Sequence, residues 1–322
     1  MNASADLATL AAELRDRLPG ATTEHASFAE LSTYRIGGPV AVLVRVQSVG
    51  ALAAVAEIAR RHQPRLLVIG RGSNLLMSDA GFSGLVVLLE GDFEAVRLPP
   101  HAGGDDAAPV VRAGGAAALP VLARRAAGAG LAGLEFFVGI PGSVGGAVRM
   151  NAGGHGRETV EVLRRAWVLG LLDPDAPSRP AARAASDLDL RYRHSNLGPS
   201  DVVTEAEFAV TNDDPAVCEA RIAEIVRWRR EHQPGGQNAG SVFRNPPGDS
   251  AGRLIEAAGL KGLRVGGVVV SEKHANFFQA EPGATARDVR ELVAEVRRRV
   301  ADATGVRLEP ELHVVGDDAE GA

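Results

Sequence analysis

Leu7, Leu10, Leu14 and Leu18 fall on one helical stripe, and Pro19-Gly20 closes it. The run 31–46, LSTYRIGGPVAVLVRV, predicts two short strands about a Gly37-Gly38-Pro39 turn. A helix is expected over 51–62, with Leu52, Val55 and Ile58 inward, and a buried strand over 66–69. Short strands follow at 85–89, 95–98 and 110–113, the last two separated by a loose polar loop at 101–109. Residues 119–129 read as a helix closed by Gly130. Strands are expected at 162–169 and 202–210, and 173–186, rich in Pro, Ala, Asp and Arg, reads as a surface loop.

From Asp214 the texture changes. A long amphipathic helix is predicted over 218–231, with Ile222, Ile225 and Val226 inward and Arg227, Arg229 and Arg230 near its C-terminus, where cations suit the helix dipole. A helix over 252–258 precedes strands at 266–270 and 276–279. The helix 287–303 aligns Val289, Leu292, Val293, Val296 and Val300; Thr285 and Asp288 suit a capping box, and Gly305 a stop. Strict alternation over 306–315 predicts a strand with Glu309 and Glu311 on its polar face. The acidic tail after Gly316 is expected to be disordered. Scattered strands with inserted helices make this an α+β chain.

The stretch 133–154, GLEFFVGIPGSVGGAVRMNAGG, shows neither helical nor strand periodicity. Its glycines let backbone amides approach a bound group, and its apolar flanks suit a buried wall against a flat aromatic ring. A tight turn between core strands is the plainer alternative. After the strand at 66–69 comes Gly70-Arg71-Gly72-Ser73-Asn74-Leu75, whose amides and side chains could cradle a phosphate. The third glycine of a dinucleotide fingerprint is missing and no helix follows, so a Rossmann domain is excluded; a bare turn stays open.

The 322 residues carry a net charge of −5 with no basic stripe, which argues against nucleic acid. One cysteine, Cys218, excludes a disulfide framework, and the eight histidines lack metal-ligand spacing, so no metal is expected. No apolar run reaches spanning length and no signal peptide opens the chain; a cytoplasmic protein away from membranes is expected.

Taken in order, TYRIGGP, GRGSNLLMSDAGFSGLVV, the glycine-rich stretch, LRYRHSNL, AGSVFRNP, AGRLIEAAGLKGLRVGGVVVSEKHANFF and LEPEL resemble the UDP-N-acetylenolpyruvoylglucosamine reductase (MurB) family, flavoenzymes of bacterial peptidoglycan synthesis. The likeness runs from Leu31 to Gly316. It implies a vanillyl-alcohol-oxidase-like FAD-binding fold of two subdomains, 1–70 with 306–322 and 71–213, and a C-terminal α+β substrate domain, 214–305. It implies FAD as cofactor, NADPH as reductant, a UDP-sugar enolpyruvyl ether as substrate, and a monomer. Another FAD-dependent oxidase or dehydrogenase of the same superfamily is the alternative.

By this likeness Gly70, Gly72, Ser73, Asn74 and Leu75 hold the FAD pyrophosphate. Gly139, Ile140, Gly142, Ser143, Gly145, Gly146, Asn151 and Gly153 line the flavin, and Tyr34 and Ile36 add a wall. The catalytic set maps onto Arg193, Ser241 and Glu311, and substrate binding onto Tyr192, Asn245 and Lys261. Reduction of an enol ether needs its carboxylate steadied as charge builds and a proton for the adjacent carbon. Arg193 would do the first with Glu311, and Ser241 the second. Taken singly, Arg193 could be a surface ion-pair residue, Ser241 a turn residue and Glu311 the polar side of an edge strand; Lys261 could be a solvated lysine. The only tyrosines are Tyr34 and Tyr192, both inside other motifs, which points to the shorter form of the family without its tyrosine loop. Arg149 and Gln279 depart from the family pattern.

Overall fold

The computed structural model describes residues 3–99 and 109–318. Of the expected 101–109 loop and the acidic tail, only Pro109, Asp317 and Asp318 fall among them. Helices and strands mix throughout, as an α+β chain should. Two compact units divide the chain: Met1–Glu24, Val42–Arg71 and Gly84–Trp228 form the first, and His25–Ala41, Gly72–Ser83 and Arg229–Ala322 the second. A four-stranded sheet runs Thr22–Ser27, Pro39–Val46, Phe82–Leu89, Leu66–Ile69, with the last two parallel. Its central strands bury Val40, Val42, Leu43, Val44 and Leu85, Val86, Val87 almost completely, a near-continuous apolar run expected of strands covered on both faces.

The first unit carries α1 (Ala3–Arg17), α2 (Val49–His62), α3 (Leu119–Gly128), the short α4 (Val144–Met150) and most of α5 (Pro215–His232). Its five-stranded antiparallel sheet runs Ala181–Ala184, Leu163–Gly170, Asp201–Ala209, Val110–Gly114, Val96–Arg97. Leu119, Leu122 and Ala126 of α3 pack with Phe136, Phe137 and Phe208 in one core. Cys218 and Ile222 of α5 are buried in that core, and burial pushes the Cys218 thiol up. Helix α5 as far as Trp228 belongs to the first unit.

The second unit holds α6 (Ala251–Ala257) and α7 (Ala286–Thr304) on a three-stranded antiparallel sheet, Arg264–Val265, Val268–Val270 and Phe278–Ala280. Val289, Leu292, Val296 and Val300 of α7 are wholly buried, each contributing about 1.5–3 kcal/mol of apolar transfer. The capping box of Thr285 and Asp288 forms as predicted. Asp79 adds to it, its carboxylate accepting the Ala286 and Arg287 N–H groups at 2.8 and 2.9 Å. His313–Val315 runs parallel to Leu75–Met77.

Five expectations change. The strand ahead of Pro39–Val46 is Thr22–Ser27, because Arg35 (φ 54°) and Gly37 (φ 125°) keep the intervening segment irregular. Residues 144–150 are helical, with Ser143 accepting the Gly146 N–H. The supposed surface loop contains a strand, Ala181–Ala184, paired with Leu163–Gly170. Only His313–Val315 of the final alternating run is a strand, since Pro310 offers no N–H for a ladder. The tail also begins ordered, with Asp317 accepting the Ser83 N–H at 3.0 Å.

Candidate active site

In the first unit the glycine-rich stretch folds as a 3-10 turn (Glu135–Gly139), an extended link and α4. The link is pinned from both sides: Leu119 N–H donates to Gly142 O, and Val144 N–H to Ala117 O, each at 3.0 Å. A Cβ on Gly145 would lie 3.1 Å from Gly115 O, and one on Gly153 2.6 Å from Arg157 O. Packing within the protein thus accounts for those two glycines. Gly70 faces Ser143: a Cβ there would come within 2.3 Å of Ser143 Oγ. The turn after Leu66–Ile69 and the N-terminus of α4 are therefore adjacent, and in α4 the Val144, Gly145 and Gly146 N–H groups are already donated, to Ala117 O, Gly115 O and Ser143 Oγ.

Arg193 stands in the same unit on a tight turn closed by the Arg191–His194 bridge, with φ 54°. Its side chain is 17% exposed, 3.9 Å from the Glu158 carboxylate, and its guanidinium lies 4.8 Å from the Tyr192 ring centroid. Asn151 is fully buried. It donates to Glu158 (2.9 Å) and to Arg191 O (3.1 Å) and accepts from Val160 N–H (2.8 Å). Both amide hydrogens are spent inside the protein, so its side chain braces the Arg193 turn and has none left for a flavin. Arg149 braces the same segment further on, with both guanidinium nitrogens donating to Gly198 O at 2.9 and 3.0 Å while Ser195 Oγ donates to Arg149 O at 2.6 Å. Burial holds its pKa below the usual arginine value, and Asp201 partly offsets this. Sequence reasoning missed this bracing role, and it also missed Glu158 as the carboxylate facing Arg193.

An open cavity of about 590 Å³ also lies in the first unit, lined by Phe136, His155, Arg157, Arg221 and Trp228 among others. None of the residues expected to touch flavin lines it. Arg221 is matched there by Glu135 and Asp213.

In the second unit Gly72 (φ 59°) sits under Leu31 and Ser32: a Cβ would lie 2.2 Å from Leu31 O and 2.7 Å from Ser32 Cα. Thr33 N–H donates to Gly72 O at 3.3 Å. Beside this turn the buried hydroxyls of Ser32, Thr33 and Tyr34 have no hydrogen-bond partner among the described residues. Burial drives the Tyr34 phenol far up, so it stays neutral and can donate. An unpaired buried hydroxyl costs about 1–3 kcal/mol, and three in succession call for a partner rich in acceptors. Ile36 is buried beside them. Ser32 and Thr33 were not foreseen; polar residues in an otherwise buried run were the available signal. The acceptor-rich diphosphate and ring carbonyls of FAD suit these hydroxyls.

Ser241 and Glu311 belong to this unit and share one backbone frame. Ser241 bridges to Phe277, and Phe243 to Pro310. Glu311 N–H donates to Val242 O at 2.7 Å, and Arg244 N–H to Glu309 O at 2.9 Å. Asn74, expected to donate to a phosphate, donates to Glu311 O at 3.1 Å, tying the Gly72–Leu75 turn to Glu311. Glu309 is exposed and Glu311 half-buried, so the two carboxylates do not share one environment. Ser73 and Leu75 are half-buried. Asn245 Oδ1 accepts the Ala251 N–H at 3.0 Å, Lys261 pairs with Glu256 at 2.6 Å, and Gln279 donates to Gly235 O at 2.9 Å.

Residues 40–171 match the FAD binding domain family, and residues 232–315 the family described as UDP-N-acetylenolpyruvoylglucosamine reductase, C-terminal domain. The reductase of that name from Rubrobacter xylanophilus is 42% identical over 288 residues, 89% of this chain and 92% of that protein. The one from Alkalilimnicola ehrlichii is 39% identical over 96% of this chain and 99% of its own. The crystal structure of the reductase (MurB) from Thermus caldophilus superposes with a TM-score of 0.75 at 35% identity, covering 91% of this chain and 97% of that one. Extended identity, both family matches and a shared fold agree: the chain belongs to the UDP-N-acetylenolpyruvoylglucosamine reductase family.

Proposed function

We propose that this chain reduces the enolpyruvyl group of UDP-N-acetylglucosamine enolpyruvate to the lactyl ether, with NADPH as reductant, as a cytoplasmic monomer. Bound FAD supplies two-electron transfer between the nicotinamide and the enolpyruvyl double bond. Gly70, Gly72 and the Ser32–Tyr34 hydroxyls would hold its diphosphate and polar edge, and the 139–146 link its ring. Arg193 hydrogen-bonds the substrate carboxylate and gains strength as negative charge builds there. Glu311 orients that carboxylate. Ser241 gives its hydroxyl proton to the carbon beside the carboxylate. A serine is a weak acid, so the step suits only a strongly basic carbon held within hydrogen-bond reach. Tyr192, Asn245 and Lys261 are assigned to the UDP-sugar, with Lys261 exchanging Glu256 for the diphosphate.

The observation that carries this reading is the backbone frame of the second unit, which links Glu311 through Val242 to Ser241. No helix of the described residues is long and apolar enough to cross a membrane, in keeping with a cytoplasmic site of action. The test is Ser241→Ala. Flavin reduction by NADPH should stay near the wild-type rate, and reoxidation by the enolpyruvyl substrate should be abolished. Reoxidation at near wild-type rate would remove Ser241 as donor. Light scattering on the holoenzyme checks the monomer.

A further inference from the structure

We infer that Asn276 is a positioning residue for the reduction: its side chain sets the register of the segment carrying Ser241. The inference rests on the proposed role of Ser241. Asn276 is 2% exposed. Its Oδ1 accepts the Phe243 N–H at 2.9 Å, and its Nδ2 donates to Phe243 O at 2.8 Å. Its own carbonyl accepts the Val242 N–H at 2.9 Å, and its own N–H donates to His274 Nδ1 at 3.2 Å. One amide side chain thus takes the place of a neighbouring strand for Phe243, a residue itself only 1% exposed.

The frame has two sides. Asn276 and Phe277 hold residues 241–243 on one, and Glu309–Leu312 holds them on the other through Arg244 N–H to Glu309 O, the Phe243–Pro310 bridge and Glu311 N–H to Val242 O. Successive side chains of an extended segment point to opposite faces, so a slip of one residue at Phe243 would turn the Ser241 hydroxyl away. The same slip would release Glu311 from Val242. Only a side chain with a donor and an acceptor at this length serves both groups of Phe243. Aspartate loses the donor and leaves a carboxylate against Phe243 O; leucine keeps the shape and loses both bonds.

Asn276→Asp and Asn276→Leu are compared with wild type and Ser241→Ala as FAD-loaded protein, following thermal melting, anaerobic flavin reduction by NADPH, and reoxidation by the enolpyruvyl substrate. A displacement near 1 Å predicts reoxidation slowed about 10- to 100-fold, with KM little changed and reduction by NADPH within about twofold of wild type. In the aspartate variant the loss should shrink as pH falls, because a protonated carboxyl regains the donor. Adding either substitution to Ser241→Ala should cost less than it does in the wild type, since Asn276 acts mainly through Ser241 and what remains comes through Glu311. Unchanged reoxidation in both variants, equal slowing of both half-reactions, or loss of FAD from both variants would overturn the inference. If Ser241→Ala itself reoxidises at the wild-type rate, the donor assignment fails instead, and the two failures are told apart.

Discussion

Replacing Gly72 by alanine tests the turn that packs against Leu31 and Ser32. Its φ of 59° lies in the left-handed region, where an L-residue pays about 1–2 kcal/mol. The added Cβ would meet Leu31 O at 2.2 Å, Ser32 Cα at 2.7 Å and Leu31 C at 3.0 Å. All three are backbone atoms, so relief requires the Leu31–Ser32 segment to move, an overpacking cost of about 1–3 kcal/mol. Together the loss is roughly 2–5 kcal/mol. Gly259→Ala is the matched control: φ is 69° and no atom lies within 4 Å of the new Cβ. It should cost only the conformational part, about 1–2 kcal/mol. Urea unfolding followed by circular dichroism gives both values, and FAD affinity is measured on the folded variants. Gly72→Ala should exceed the control by about 1–3 kcal/mol and weaken FAD, because the Ser32–Tyr34 hydroxyls shift with the segment. Equal destabilisation with unaltered FAD affinity would refute the close approach and the cradle built on it.

Arg149→Ala should remove both charge-assisted hydrogen bonds to Gly198 O and leave it only the Asp201 N–H, a loss of about 1.5–3 kcal/mol; kcat/KM should fall with it because the Arg193 turn loosens, and unaltered steady-state kinetics would contradict the brace. Burial depresses the His274 pKa below 6.5, helped by Lys261 and opposed by Glu256. The folded chain therefore binds fewer protons than the unfolded one below pH 6.5, so this stability is complete above that pH and falls away beneath it. His274→Gln should flatten that part of the stability profile, checked by urea midpoints at about pH 7.5 and 5.5.

Much was legible because it depends on local pattern. The valines and leucine of α7, its capping box and its Gly305 stop are all short-range signals, and all are present. Helix α4 was hidden because Gly145 and Gly146 erase helical propensity; Ser143 and contacts with residues 115–117 restore it. The alternation at 306–312 looked like a strand, but strand pairing is non-local and Pro310 interrupts it. The residues proposed for catalysis could be named from their motifs, while their support could not. Asn151 and Arg149 bracing the Arg193 turn, and Asn276 gripping Phe243, are contacts between segments about 30–50 residues apart in sequence.

The central claim is an NADPH-driven reduction of an enolpyruvyl UDP-sugar on FAD, and the anaerobic flavin spectrum of the wild-type protein tests it most directly. NADPH should bleach the oxidised-flavin absorbance, and the enolpyruvyl UDP-sugar alone should restore it without oxygen. A flavin that regains its colour only when oxygen is admitted, or a preparation that takes up no FAD, would contradict the account.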